Sequence, residues 1–313
     1  MKNNNVLVLG AGGIGGYFGG RLAEAGQAVT FLVRESRQKK LQQNGLTLKS
    51  QFGDAHISVK ATTASQLNAQ YDFIILACKA YDLAAAIESI APAVGDSTAI
   101  IPLLNGVAHI AQLNSRFGAE KVLGGSAKIQ VTMSEQGDIV HLNDWCELTF
   151  GEQSSEMSPR VQRFQQLFEH AKGVKINAVN DIMQQMWQKL VHLSTAAAMT
   201  CMMRASVGEI VRTPAGKTQF LALLDNNAQV ASYHGYPPSQ AFMTLYQRIF
   251  SDPQSTYTTS MLRDIEHHNR IEADHIIGFM LDKSISANMD CLTLQLAYTH
   301  VKAYEQRRLC AQD

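Results

Sequence analysis

A short apolar run, Val6-Leu7-Val8-Leu9, passes directly into Gly10-Ala11-Gly12-Gly13-Ile14-Gly15 and then into Tyr17-Phe18-Gly19-Gly20-Arg21-Leu22-Ala23. Glycines at 10, 12 and 15 set G-x-G-x-x-G at the turn from a strand into a helix, which commits this end of the chain to a strand-turn-helix unit. Each glycine has its own task. Gly10 makes the tight turn, Gly12 has no side chain to hold a bound phosphate away, and Gly15 lets the helix lie close to the strand. The backbone of Gly10, Ala11, Gly12, Gly13, Ile14 and Gly15 is therefore expected to cradle a pyrophosphate at a helix N-terminus. In a chain with 22 glycines the spacing alone is weak, and the following strand supplies its context.

That strand is Ala28-Val29-Thr30-Phe31-Leu32-Val33, ended by Arg34-Glu35-Ser36-Arg37. In a Rossmann unit the residue past the second strand faces the adenine ribose. A carboxylate there accepts from the 2′-hydroxyl of NAD, whereas an arginine favours the 2′-phosphate of NADP. Arg34 makes NADP the expected cofactor; the alternative is a solvated basic loop with Glu35 as the ribose partner.

Further along, 45–50 and 56–60 alternate about Gly53-Asp54 and read as a hairpin or edge excursion. The runs 72–78 and 97–104 are apolar enough for strands buried on both faces of a parallel sheet. They end in Lys79 and Asn105-Gly106, with a helix over 82–94 closed by Gly95-Asp96. Strands at 121–130, 139–141 and 148–151 are expected to continue the sheet, followed by a helix over 159–172 and a strand at 174–177. This alternation predicts an α/β domain with a mostly parallel sheet over 1–178. From Asn180 the period is helical, predicting an all-α domain over 179–313. Its expected helices include 181–203, a capping box at Ser206–Glu209, a start at Thr213-Pro214, one helix over 260–287 and another over 291–307.

The charge balance narrows the partner. With 27 basic residues against 27 acidic ones, the chain lacks the basic excess of nucleic-acid and membrane-surface proteins, so a small-molecule partner is expected. The 5 cysteines show no C-x-x-C spacing, which argues against a disulfide frame or thiolate zinc site and fits a reducing cytoplasm. Residues 1–5 leave no room for a signal peptide before the first strand, and no run is long and apolar enough to span a membrane.

Polar residues that end buried strands lie where doubly wound sheets bind ligands. Lys79 would there be a cation beside cofactor or anionic substrate, and Asn105 an amide orienting the nicotinamide ribose or the substrate; both are also ordinary turn residues. Lys189 is the only fixed charge between Ile182 and Met203. It either snorkels to water or keeps its charge in a pocket, where desolvation prepares it as a proton donor. A rival constellation is Glu272-x-x-His275 with His268 four residues before Glu272 on the same helical face, as a carboxylate-bridged metal site would need. One such motif falls short of a di-metal bundle site, so no metal is expected.

Gly10-x-Gly12-x-x-Gly15, Arg34, Lys79, Asn105-Gly106, Trp187-Gln188-Lys189-Leu190 and Ser260-Met261-Leu262-Arg263-Asp264 occur in order. Glu272-Ala273-Asp274-His275-Ile276-Ile277-Gly278 follows them. In this the whole chain resembles the ketopantoate reductase (2-dehydropantoate 2-reductase) family. The resemblance implies a Rossmann domain joined to a helical domain similar to the C-terminal domain of 6-phosphogluconate dehydrogenase. It also implies NADPH-dependent reduction of ketopantoate to pantoate in pantothenate biosynthesis. By position, Lys189 resembles the catalytic lysine, Glu272 the catalytic-site glutamate, Asn105 and Ser260 substrate ligands, and Lys79 a cleft lysine serving cofactor or substrate. Ser260 reads equally as a helix N-cap. The chain departs from the family at Leu193, Ala197 and Tyr257, where asparagine is usual. This keeps open another branched or aromatic 2-oxo acid as substrate, and a non-catalytic NADP sensor is a further alternative. By analogy with related helical domains, a homodimer is an expectation.

Overall fold

The computed structural model describes residues 4–310. The lead-in expected over residues 1–3 lies outside them. The chain forms two compact units, one running to Leu104 and again over His109–Ile182, the other made of Asn105–Ala108 and the chain from Met183.

In the first unit β1 (Asn5–Leu9), α1 (Gly13–Glu24), β2 (Ala28–Leu32) and α2 (Glu35–Asn44) build the first half of the sheet. Val6, Leu7 and Val8 are fully buried because β1 is central, with β2 on one side and a later strand on the other. The periodicity of the sequence does not reveal α2. It is highly polar and buries only Gln38 and Leu41, so it carries almost no apolar stripe. The hairpin of β3 (Leu46–Lys49) and β4 (Ala55–Ile57) follows; β5 (Lys60–Thr62) is a separate strand parallel to β2, so the expected strand over 56–60 is divided.

Next come β6 (Tyr71–Leu76), α3 (Leu83–Ile90) and β7 (Val94–Pro102). Gly95-Asp96 does not close a helix. It lies in β7, where the register against β6 slips between Tyr71 and Phe73 and the Gly95 amide donates to Thr98 Oγ1 at 2.8 Å. The glycine serves a bulge. The five strands are all parallel, in the order β5-β2-β1-β6-β7.

After α4 (Ala108–Phe117), which was not anticipated, come β8 (Leu123–Lys128), β9 (Val131–Met133), β10 (Ile139–His141), β11 (Glu147–Glu152), α5 (Pro159–Leu167) and β12 (Lys175–Ala178). These strands do not continue the parallel sheet. They form β4-β3-β10-β9 and β12-β11-β8, and an isolated bridge joins Ile100 of β7 to Val122, just before β8. The turn between β9 and β10 is too tight for a parallel crossover and forces an antiparallel pair. Arg21, fully buried, anchors this side. Its guanidinium pairs with Glu24 at 2.6 Å and donates to the Gly53 carbonyl at 2.7 Å.

The second unit contains α6 (Ile182–Met203), α7 (Val207–Val211), α8 (Gly216–Tyr233), α9 (Gln240–Ile249), α10 (Ser260–Glu266), α11 (Phe279–Ser286) and α12 (Leu292–Cys310). The Ser206–Glu209 capping box is formed at α7. Pro214 does not start a helix: it sits in the turn before α8, where Thr213 Oγ1 accepts from the Gly216 amide at 3.1 Å. The expected helix over 260–287 is broken into α10, an irregular stretch in which His268 takes φ 57°, a π-helical turn at Asp274–Gly278, and α11.

Candidate active site

Level strand ends create one edge of the first unit, the edge at which parallel sheets of this kind bind ligands. Leu9 pairs in register with Leu32 and Leu76, and Leu76 with Pro102, so the segments after β1, β2, β6 and β7 leave the sheet together. The Gly10 amide donates to the Leu32 carbonyl at 3.0 Å, tying the glycine loop to the end of β2. Gly10 has φ +91°, a Cβ on Gly15 would stand 2.1 Å from the Gly10 carbonyl oxygen, and one on Gly12 would meet nothing within 4 Å. The turn and close approach thus require glycine, and the bare surface lies at Gly12. Gly12 is also the N-cap of α1, with no side-chain cap bond and no acidic residue in the first turn. A backbone cradle at an uncapped helix start suits a pyrophosphate. Ala11 is buried, Gly13 and Ile14 are half-buried, and Arg34 and Lys79 are exposed.

In the second unit, Lys189 is half-buried on α6 and Glu272 is buried just before the π-helical turn. Burial lowers the Lys189 ammonium from its ordinary 10.5 to about 8, while the charge of Glu272 acts in the opposite direction. A carboxylate beside the ammonium is what lets a lysine remain charged away from water. The Asn105-Gly106 turn approaches this region through its backbone: Gly106 has φ +82°, and a Cβ there would stand 2.7 Å from the His275 carbonyl oxygen. His275 is kept below its usual pKa by burial, opposed by Glu272 and Asp274, and its Nδ1 is buried with no hydrogen-bond partner among the described residues. Ser260 is exposed at the first position of α10; the cap is Thr259, whose hydroxyl accepts from the Leu262 amide at 3.2 Å.

The break at His268 separates it from any helical face shared with Glu272, and among the described residues no group of three His, Cys, Asp or Glu side chains could hold a metal ion. Sequence reasoning passed over His192. Its Nε2 lies 2.9 Å from the Tyr257 hydroxyl, and its ring stacks on Tyr246 with centroids 4.3 Å apart. Its position one turn beyond Lys189 was the available signal. From Ser194 to Cys201 every residue of α6 is buried, so His192 and Leu193 are the part-exposed side chains that follow Lys189.

A parallel sheet in this order with a glycine-rich turn at its switch point is the architecture of a dinucleotide-binding fold. The chain belongs to the ketopantoate reductase family: residues 6–155 match the family described as ketopantoate reductase PanE/ApbA, and residues 181–305 match its C-terminal region. Members are NAD(P)-dependent oxidoreductases. The chain is 33% identical over 304 residues to the uncharacterized oxidoreductase YkpB of Bacillus subtilis (strain 168), covering 96% of this chain and 99% of that one. The crystal structure of 2-dehydropantoate 2-reductase from Methylococcus capsulatus superposes with a TM-score of 0.86 at 25% identity, covering 97% of both chains. D-mandelate dehydrogenase, solved with NADH and anilino(oxo)acetate, shares the fold with a TM-score of 0.86 at 18% identity, over 97% of this chain and 99% of that one. Among the described residues no helix is long and apolar enough to cross a membrane.

Proposed function

We propose that the protein reduces a 2-oxo acid with NADPH, using Lys189 as the proton donor, and that ketopantoate is the first substrate to examine. The observation that carries this reading is a lysine on the apolar helix α6 that feels the charge of the buried Glu272 carboxylate. The reduced nicotinamide supplies hydride when bound. As the carbonyl carbon gains hydride, negative charge develops on its oxygen; the Lys189 ammonium stabilises that charge and transfers its proton there. Glu272 holds the ammonium and accepts from a substrate hydroxyl. Asn105 and Ser260 bind the substrate, Asn105 and Lys79 also serving the cofactor, and Arg34 reads its 2′-phosphate.

A second reading of the substrate is a 2-oxo acid with a branched or aromatic side chain. Leu193 offers no hydrogen bond, and the Tyr257 hydroxyl is already engaged with His192. A substrate hydroxyl left without partners beside them is disfavoured, whereas an apolar side chain loses nothing.

The test is NADPH oxidation with ketopantoate and with unhydroxylated 2-oxo acids, using the native protein and Lys189→Ala. Lysine-dependent oxidation with ketopantoate supports the first substrate, and oxidation only with the other acids supports the second. Silence across the panel with NADPH still bound replaces catalysis with a sensing role.

A further inference from the structure

Glu272 is carried on a stretch that has no regular structure of its own. Helix α10 ends at Glu266, His268 takes φ 57°, and regular structure resumes at the π-helical turn Asp274–Gly278. Ile271, Glu272 and Ala273 are nonetheless buried. Such a segment has no ladder of internal hydrogen bonds to fix it, so the direction of a side chain on it is set by what grips its two ends.

Both ends are gripped by α12. Before Glu272, the Tyr304 hydroxyl donates to the Asn269 carbonyl at 2.7 Å and Arg308 Nε donates to the His268 carbonyl at 3.2 Å. After it, the Tyr298 hydroxyl donates to Asp274 Oδ1 at 2.7 Å, and Lys302 Nζ donates to the two Asp274 oxygens at 3.1 Å and 3.3 Å. Each pair of donors is spaced four residues apart, so each works from one face of the helix. Lys302 is the weaker member, because its contact with Asp274 is exposed and it also pairs with Glu305. The Tyr298 ring has a second task. It lies against Gly278, where a Cβ would stand 2.9 Å from it, so the end of the π-helical turn rests on the side chain that holds its start.

We propose that α12 is a clamp that positions the Glu272 carboxylate for Lys189, with Asp274, Tyr298, Tyr304 and Arg308 as its positioning residues. A π-helical turn carries one residue more than an α-helical one, so relaxing it would slide the preceding chain by one residue and turn Glu272 by about 100° about the helix axis. The bonds to Asn269 and Asp274 oppose that slide from either side. This inference rests on reading Lys189 and Glu272 as the groups that serve proton transfer.

The test reads Lys189 without requiring turnover. Competitive acetylation of the full-length protein across pH, followed by mass spectrometry of the peptide that carries Lys189, gives the pH at which its amine is half-reactive. Among the described residues the charge that acts on Lys189 is that of Glu272, so a change in the clamp reaches the ammonium by moving Glu272. Tyr298→Phe and Tyr304→Phe each remove a hydroxyl and no charge. Each should lower that pH by about 0.3 or more, and the two together should approach Glu272→Gln. In the Glu272→Gln background the same substitutions should add nothing. Tyr298→Phe, at the exposed end, carries the test if Tyr304→Phe does not fold. An unmoved pH, or an equal drop with Gln at 272, overturns the clamp. NADPH oxidation by 2-oxo acids is measured on the same proteins: labelling that moves as expected while no acid is reduced removes the reductase reading and leaves the clamp, whereas lysine-dependent reduction with unmoved labelling removes the clamp alone.

Discussion

At the scale of the residue, Lys189 carries the clearest consequence. Its ammonium, lowered by burial to about 8, is nearly all protonated at neutral pH and titrates just above it. Reduction needs the protonated form, so turnover should fall as pH rises through about 8, and a pH profile of the reductive rate checks this. Glu272→Gln removes the opposing carboxylate, so the fall should move to lower pH; an unmoved profile would separate Glu272 from the lysine. The same group affects stability. Between about 8 and 10.5 the unfolded lysine holds a proton that the folded one has lost, so its contribution to stability rises with pH across that window, which chemical denaturation at several pH values would detect. Arg34→Ala should weaken NADPH far more than NADH; equal losses measured by fluorescence titration would remove it from the 2′-phosphate. Arg34 and Lys189 stand out in the sequence because one follows a strand and the other interrupts an apolar helix. His192 does not stand out, since its partner Tyr257 is distant in the chain.

At the scale of the element, strongly periodic segments were legible and weakly periodic ones were not. The helix α6 and strands β1, β2 and β6 are dictated by apolar runs of the right length, whereas α2 exposes most of its surface and could only be seen in place. The 260–287 segment was misread for a different reason. Its apolar spacing is helical throughout, but His268 adopts a left-handed conformation and the chain then takes a π-helical turn beside Glu272, a distortion common where a functional side chain must be re-aimed. Caps, in contrast, follow local chemistry. Ser206 and Glu209 bond each other's backbone as their spacing predicts, so Ser206→Ala should cost about 1 kcal/mol in denaturant unfolding. Gly15→Ala should be worse than any cap loss, because its methyl group would meet a backbone oxygen that cannot move without opening the glycine turn. Loss of dinucleotide binding together with a lowered melting temperature is the expected result.

At the scale of the whole molecule, the fold has two parts: a parallel sheet with the glycine-rich turn at its edge in one unit, and helices carrying Lys189 and Glu272 in the other. Alternating strands and helices followed by unbroken helical period made that architecture legible, while the breakup of the later strands into two further sheets depended on pairings the sequence does not encode locally. Ligand binding should be felt by the folded state as a whole. NADPH at a hundred times its dissociation constant should add about 2.7 kcal/mol to stability, and NADH at the same concentration less. Thermal unfolding with each nucleotide measures the difference directly.

The short excursion of Asn105–Ala108 into the helical unit means that the polypeptide passes from one unit to the other three times. The two halves are therefore not interchangeable cassettes. A chimera that takes its helical half from a relative by a single crossover near residue 182 would inherit a foreign set of helices while keeping its own Asn105-Gly106 turn, whose glycine must lie against the His275 backbone. Exchange of substrate preference between relatives should accordingly succeed only when those four residues travel with the helices, and within this architecture they form an inherited block despite their distance in sequence.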